Sequence, residues 1–210
     1  MVNLKGFYGF TLAEVLITLV IVGVIAAMTI PMLMNKTNNQ EYVSRLKKTY
    51  SAFTQVTNKI IAENGSPKNW ITDGENFYNL YRQYLSKAKD CGPNTGCLEN
   101  TYKHLNGSNG GFWDTASSKK KLILSDGTLV MFIYRSKNCD SNLDGSYSVC
   151  GQINVDINGA KGPNMFGRDY FEFAVKEDGI YPMGCDYDQC TQGNSTGCAC
   201  KVLREGAMNY

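Results

Sequence analysis

The sequence predicts an α+β fold. A long N-terminal helix, its first half able to span a membrane, packs on a mainly antiparallel sheet of about four strands with disulfide-stapled loops. Three observations predict it. Residues 10–31 form an uninterrupted apolar run apart from Glu14 and a few threonines. Val43, Leu46, Tyr50, Phe53, Val56 and Ile60 then recur at steps of three and four, the spacing of one helix face. The chain beyond residue 90 alternates apolar and polar residues between Asp-Gly and Asn-Gly turns and carries all eight cysteines.

The length, 210 residues, fits one anchored domain. The expected divisions are residues 1–9, which the resemblance given below implies are a leader, a membrane-spanning helix at 10–31, an amphipathic continuation at 32–65 and a head at 66–210. The net charge of +2 comes from evenly mixed signs. That excludes the basic face of a general nucleic-acid binder, and a nucleic-acid partner is not expected.

As a helix, residues 10–30 extend roughly 31 Å at about 1.5 Å per residue, about the thickness of one hydrocarbon core. Pro31 either kinks the helix or ends its first section. A cleaved secretory signal fits poorly, because the run is too long and no A-x-A site follows it. A plain anchor leaves Glu14 unexplained. A lone carboxylate in a membrane segment costs roughly 2.5–3.5 kcal/mol, less near an end, and calls for a partner. No Lys, Arg or His lies between Tyr8 and Asn35. The expected partner is therefore another chain, or a positive group created on this one.

The string "GFTLAEVLITLVIVGVIAAMTIP", residues 9–31, resembles the N-terminus of the type IV pilin and type II secretion pseudopilin family. The resemblance implies a pilin-like fold and a leader that ends in Gly9. It implies a prepilin peptidase that cuts between Gly9 and Phe10, N-methylation of Phe10, an assembly role for Glu14, and a match of Pro31 to the family's helix-breaking proline. The leader "MVNLKGFYG" departs from the family in having a single Lys set away from the Gly. A cut after Gly6 would place Thr11 where the family has its acid, so Gly9 is the expected site. The implied partners are other pilin subunits, the peptidase, an assembly platform and, before assembly, the membrane. The implied location is the bacterial cytoplasmic membrane, single-pass with the head outside, then a periplasmic or cell-surface filament.

The physics agrees with the resemblance. Cleavage creates an ammonium at Phe10, and in a filament that ammonium can meet a neighbour's Glu14. A buried charge is tolerable once paired, and such a pair fixes register as a buried polar residue does in a coiled coil.

Beyond the amphipathic stripe, Asn64-Gly65 and Ser66-Pro67 end the first helix. "GENFYNLYRQYLSKA" predicts a short helix through Phe77, Leu80, Tyr81, Tyr84 and Leu85. The polar, Gly-rich stretch 90–118 reads as a loop, with Cys91 and Cys97 bracketing "GPNTG". "KLILSDGTLVMFIYR" predicts a hairpin around Asp126-Gly127. "GQINVDI" and "DYFEFAV" predict two further strands, and "KEDGIYP" a closing turn. Lys119-Lys120-Lys121 reads as a solvated edge.

The cysteines are Cys91, Cys97, Cys139, Cys150, Cys185, Cys190, Cys198 and Cys200. An even count on a tethered chain favours disulfides in an oxidising compartment. A zinc site and free thiols are the alternatives, and no C-x2-C pair supports zinc. Cys139 and Cys150 would staple the excursion between two strands, and the last four cysteines would tie a C-terminal loop to the sheet.

Asp156, Asn158 and Asp169 lie in a Gly-rich segment whose oxygen ligands suit Ca²⁺, although the spacing is not that of an EF-hand and ordinary turn chemistry explains it too. Asp140, Asn142 and Asp144, followed by Gly145, are a thinner set of the same kind. No other cofactor is expected. Catalysis has no support: the single histidine, His104, has no local Ser, Cys or Asp grouping, and no phosphate-binding loop exists. The sequence therefore reads as a structural filament subunit. The alternative is a minor or tip subunit that binds DNA, a surface or secreted cargo.

Overall fold

A computed structural model of the chain describes residues 9–143, 146–185, 190–191 and 195–210. Two compact units divide between Asn38 and Asn39. The leader up to Tyr8, and Asp144 with Gly145 of the thinner oxygen set, lie outside the described residues.

Helix α1 runs from Leu12 to Asn64 and contains Pro31. The helix therefore does not end at the proline. Among the described residues of the first unit its large apolar side chains are exposed, including Leu16, Val20, Ile25 and Met28. A helix that is apolar all round and uncovered suits lipid or partner helices rather than water. One stretch, Leu12–Pro31, is long and apolar enough to cross a membrane.

In the second unit the stripe behaves as its spacing predicts. Val43, Leu46, Phe53 and Ile60 are buried, and Tyr50 and Val56 pack partly buried against the same core. The helix ends at Asn64. Gly65 follows with a φ of +80° and donates its N–H to Ile61 O at 2.8 Å. That left-handed conformation is the reason for glycine there.

Elements α2 (Pro67–Trp70) and α3 (Gly74–Tyr84) follow. Asp73 caps α3, its side chain accepting from Asn76 N at 2.7 Å. Phe77, Tyr78 and Tyr81 form the buried face of α3. Tyr81 sits 6.3 Å from Phe53 and 5.6 Å from Phe132, ring to ring. Its hydroxyl lies 2.7 Å from Thr57 Oγ1, which donates to Phe53 O. Each such ring contributes roughly 1.5–3 kcal/mol by burial.

The strands are β1 (Lys87–Gly92), β2 (Thr101–Lys103), β3 (Asn109–Phe112), β4 (Lys120–Leu124), β5 (Leu129–Tyr134), β6 (Ser141–Leu143), β7 (Ser146–Asp156), β8 (Tyr170–Lys176) and β9 (Gly179–Pro182). The main sheet is seven-stranded and antiparallel in the order β1-β4-β5-β7-β8-β9, with β6 on β7. The four strands expected from sequence are its centre. Strands β1 and β9 add the edges, and β6 adds a short flank. Strands β2 and β3 make a separate hairpin.

Helix α1 and α3 cover one face of the sheet through Val130, Phe132, Ile153, Val155, Phe171 and Phe173. A second cluster of Leu98, Tyr102, Leu129, Met131, Ile133, Phe166 and Tyr170 covers the other. Coverage on both faces explains why β5 reads as the unbroken apolar run Leu-Val-Met-Phe-Ile rather than alternating. Gly151 leaves room for Phe77 of α3: a Cβ there would lie 2.8 Å from its ring.

All eight cysteines pair, as Cys91–Cys97, Cys139–Cys150, Cys185–Cys200 and Cys190–Cys198. This removes the zinc and free-thiol alternatives. The last two bridges join the chain after β9 to α4 (Cys198–Glu205), a helix the sequence reading missed. Ala199 and Val202 of α4 are in the core.

The lysine run corrects the expectation of a solvated edge. Strand β1 pairs with β4, so β4 is interior. Lys121 is fully buried and donates to Asp114 O and, at 3.5 Å, to Pro93 O. Burial lowers its pKa, with the Asp114 charge opposing. Lys120 pairs with Glu75 at 2.6 Å, and the Lys119 ammonium lies 3.7 Å from the Trp113 ring centroid.

The Cys91–Cys97 loop is held by Asp114. Its carboxylate accepts from Gly96 N (2.6 Å), Cys97 N (3.0 Å) and Leu98 N (2.9 Å). Burial works to raise its pKa, but those three donors hold it below the ordinary value. Asp114→Ala leaves three N–H groups without this acceptor, those of Cys97 and Leu98 buried and that of Gly96 half-buried. It is expected to destabilise the head by about 1–3 kcal/mol, read by chemical denaturation with the disulfides intact.

Candidate functional site

Gly9 and Phe10 precede α1, and Phe10 is 89% exposed. Among the described residues nothing lies within 4 Å of where a Cβ on Gly9 would stand. The next residues form a reciprocal helix cap. Thr11 Oγ1 accepts from Glu14 N at 3.2 Å, and Glu14 Oε2 accepts from Thr11 N and Thr11 Oγ1, each at 2.8 Å. This is the S/T-x-x-E capping box, which satisfies donors that the first helical turn would leave free.

The cap gives Glu14 a hydrogen-bond partner on its own chain, beside the charge partner expected from another chain or from a positive group created on this one. Its hydrogen-bond partner is three residues away. The Thr-x-x-Glu spacing was the signal, and attention to full charges hid it. Thr11 is the site residue that sequence reasoning missed. A neutral cap does not neutralise the carboxylate, so the charge still calls for a cation once the segment leaves water. Pro31, the other expected assembly residue, is exposed within α1.

The three candidate oxygen residues Asp156, Asn158 and Asp169 come together. Asp156 ends β7 and Asp169 immediately precedes β8, so the antiparallel pair sets them facing; both are fully buried. Asp156 Oδ2 accepts from Tyr102 Oη at 2.9 Å and Oδ1 from Asn158 N at 3.3 Å. Asp169 accepts from Asn164 N at 2.7 Å and Met165 N at 2.6 Å. The Asn158 amide donates to Gly162 O at 3.1 Å and Tyr42 Oη at 3.4 Å, while its Oδ1 is buried with no partner.

Burial, reinforced by the Asp169 charge, pushes the Asp156 carboxyl up to about 8. Burial raises Asp169 as well, against its backbone donors. Among the described residues no group of three or more His, Cys, Asp or Glu side chains could hold a metal; a cation here would use the two carboxylates and Asn158.

His104 follows β2 and stacks on Phe166 at 5.1 Å. Its Nδ1 lies 3.3 Å from Ser195 Oγ, and Ser195 is 1% exposed.

Residues 4–30 match the prokaryotic N-terminal methylation motif. With the uncovered apolar helix, the antiparallel sheet and the four disulfides, this makes the chain a type IV pilin or pseudopilin-type protein. Residues 32–183 match the family described as "Family of unknown function (DUF6613)", and the chain belongs to that family. No curated protein and no solved structure matches the chain.

Proposed function

We propose that the chain is a structural subunit of a type IV pilus or a type II secretion pseudopilus. Prepilin peptidase cuts between Gly9 and Phe10, Phe10 is methylated, and the mature subunit polymerises through residues 10–31. The single observation that carries this reading is the methylation motif fused to an apolar helix whose large side chains are exposed among the described residues. The four disulfides support a head on the oxidising, outer side of the cytoplasmic membrane.

The role is assembly rather than catalysis. The one histidine is stacked, and its serine neighbour is closed to solvent. Calcium at Asp156, Asn158 and Asp169 is a second element of the proposal, favoured by the unpartnered Asn158 Oδ1 beside two carboxylates.

Mass spectrometry of the protein from native cells tests the processing. The expected N-terminal peptide begins at Phe10 and carries one methyl group on its amine. A mature chain that retains Met1–Gly9 overturns the proposal.

A further inference from the structure

The eight cysteines join in two different ways. In chain order the first pairs with the second and the third with the fourth, as Cys91–Cys97 and Cys139–Cys150, 6 and 11 residues apart. The last four are nested instead. Cys185–Cys200, 15 residues apart, encloses Cys190–Cys198, 8 residues apart. Each outer partner skips a nearer cysteine. Cys185 passes over Cys190, five residues on, and Cys200 passes over Cys198, two residues back.

The folded head enforces the nesting. Cys198 and Cys200 lie in the first turn of α4. Residues two apart on a helix point about 200° apart around its axis and do not face each other. A Cys198–Cys200 bridge is therefore incompatible with that turn. Cys200 N donates to Met183 O at 3.0 Å, which brings the segment after β9 alongside α4. Gly184 approaches so closely that a Cβ on it would stand 1.8 Å from Gly197 O. Cys198 is fully buried, and a Cβ on Gly167 would stand 2.6 Å from its Sγ. The nested pairing thus depends on a docked α4.

The unfolded chain favours the other pairing. Loop closure becomes harder as the three-halves power of loop length, so Cys185 meets Cys190 about five times more readily than it meets Cys200. The Cys91–Cys97 bridge shows that a loop of comparable size closes in this chain. Order of arrival adds to the bias. Under the outward-facing reading above, on which this inference rests, the head crosses the membrane in chain order. Cys190 then reaches the oxidising side before Cys198 and Cys200. Helix α4 cannot select the partners until the last residues of the chain have followed.

We propose that the head is a substrate of a thiol–disulfide isomerase, which converts the bridges Cys185–Cys190 and Cys198–Cys200 into the nested pair after translocation. The exchange consumes no oxidant or reductant. The isomerase thiolate attacks Cys190 Sγ, the Cys185–Cys190 bond breaks, and Cys185 leaves as a thiolate. Cys185 attacks Cys200 Sγ, forms the outer bridge and releases Cys198 as a thiolate. Cys198 attacks Cys190 Sγ in the mixed disulfide, forms the inner bridge and returns the isomerase thiolate. Two disulfides enter and two leave, and docking of α4 makes the last state the stable one.

The test uses the full-length protein, produced in bacterial cells with or without their periplasmic thiol–disulfide isomerase, the dithiol oxidant being present in both. Cells are quenched in acid and alkylated, and the bridges are mapped by electron-transfer mass spectrometry of a non-reducing digest. Loss of the isomerase is expected to raise the share of chains carrying Cys185–Cys190 at least about five-fold. Cys91–Cys97 and Cys139–Cys150 are expected not to change. An isomerase without its resolving cysteine is expected to hold the wild-type chain as a mixed disulfide. Its capture of C185S/C190S/C198S/C200S is expected to fall at least about five-fold.

Identical bridge maps in the two hosts overturn the proposal, since α4 would then dock before its cysteines are oxidised. So does equal capture of the four-serine variant, which assigns the exchange to the first two bridges, or scrambling of all four bridges alike. Cysteines that all stay reduced would sink the outward-facing reading and this inference with it. Native bridges formed in full without the isomerase would sink this inference and leave that reading standing.

Discussion

Glu14→Val is expected to leave the protein in the membrane fraction at normal or raised abundance and to lower sheared filaments at least about tenfold. Two effects act in opposite directions. The substitution removes a carboxylate whose insertion costs roughly 2.5–3.5 kcal/mol at a span's centre and less near its end, so anchoring does not suffer. It also removes the return half of the capping box, in which the Glu14 carboxylate accepts from Thr11, and the only charged side chain in the segment.

Glu14→Gln separates those losses. Glutamine keeps the side-chain acceptor that Thr11 N–H uses and has no charge. If a neighbour's Phe10 ammonium is the partner, that cation is left buried and unpaired, and Gln assembles as poorly as Val. Gln filaments at wild-type abundance would show that Glu14 serves only as a cap and would sink the charge-register mechanism. Immunoblots of sheared and membrane fractions from the same cells decide between the outcomes.

In metal-free buffer the head is expected to lose thermal stability steadily from about pH 5 to about pH 8 and then to level off. The folded-state pKa of Asp156 is raised, by burial first and by Asp169 second, to about 8, from an ordinary carboxylate value near 3.8. Between those values the native state binds more protons than the unfolded state. Its contribution is therefore fully present below the unfolded pKa and lost as pH rises through the folded one. A tenfold change in proton affinity is worth about 1.4 kcal/mol, so the window spans several kcal/mol.

Asp90, Asp114 and Asp126 are shifted the other way, against the burial that would raise them, and act below that window. Asp156→Asn should flatten the profile between pH 5 and 8. A wild-type melting temperature that does not change across that range would show the pair to be ionised without cost. Millimolar calcium supplies the second reading: a site at Asp156, Asn158 and Asp169 would raise the melting temperature most near pH 8. No calcium effect at that pH removes the calcium element of the proposal.

Much was legible because it is local. The apolar run of residues 10–31, the stripe from Val43 to Ile60, the Asp126-Gly127 hairpin and the short-range bridges Cys91–Cys97 and Cys139–Cys150 all lie within a few residues of their partners. Periodicity and turn chemistry carry that information directly. The Thr11–Glu14 cap was equally local, and its motif was readable.

Lys121 was misread for the opposite reason. A run of three lysines looks solvated until β1 pairs outside β4 and Asp114 brings its carbonyl to the ammonium. Strand β9 was read only as a closing turn, and α4 was not expected at all. Helix α4 is defined by its bridges back to Cys185 and Cys190 and by the burial of Val202.

The sequence by itself determined that this chain carries an apolar run long enough to span a membrane, with a pilin-type motif, and an amphipathic helix destined for a sheet, because side-chain order along one helix or strand dictates which face is apolar. Only the tertiary structure decided that Tyr102 caps Asp156 and that β1, pairing outside β4, leaves Lys121 buried. Those neighbours are far apart in the chain, and the pairing that unites them depends on how the whole sheet closes over its core.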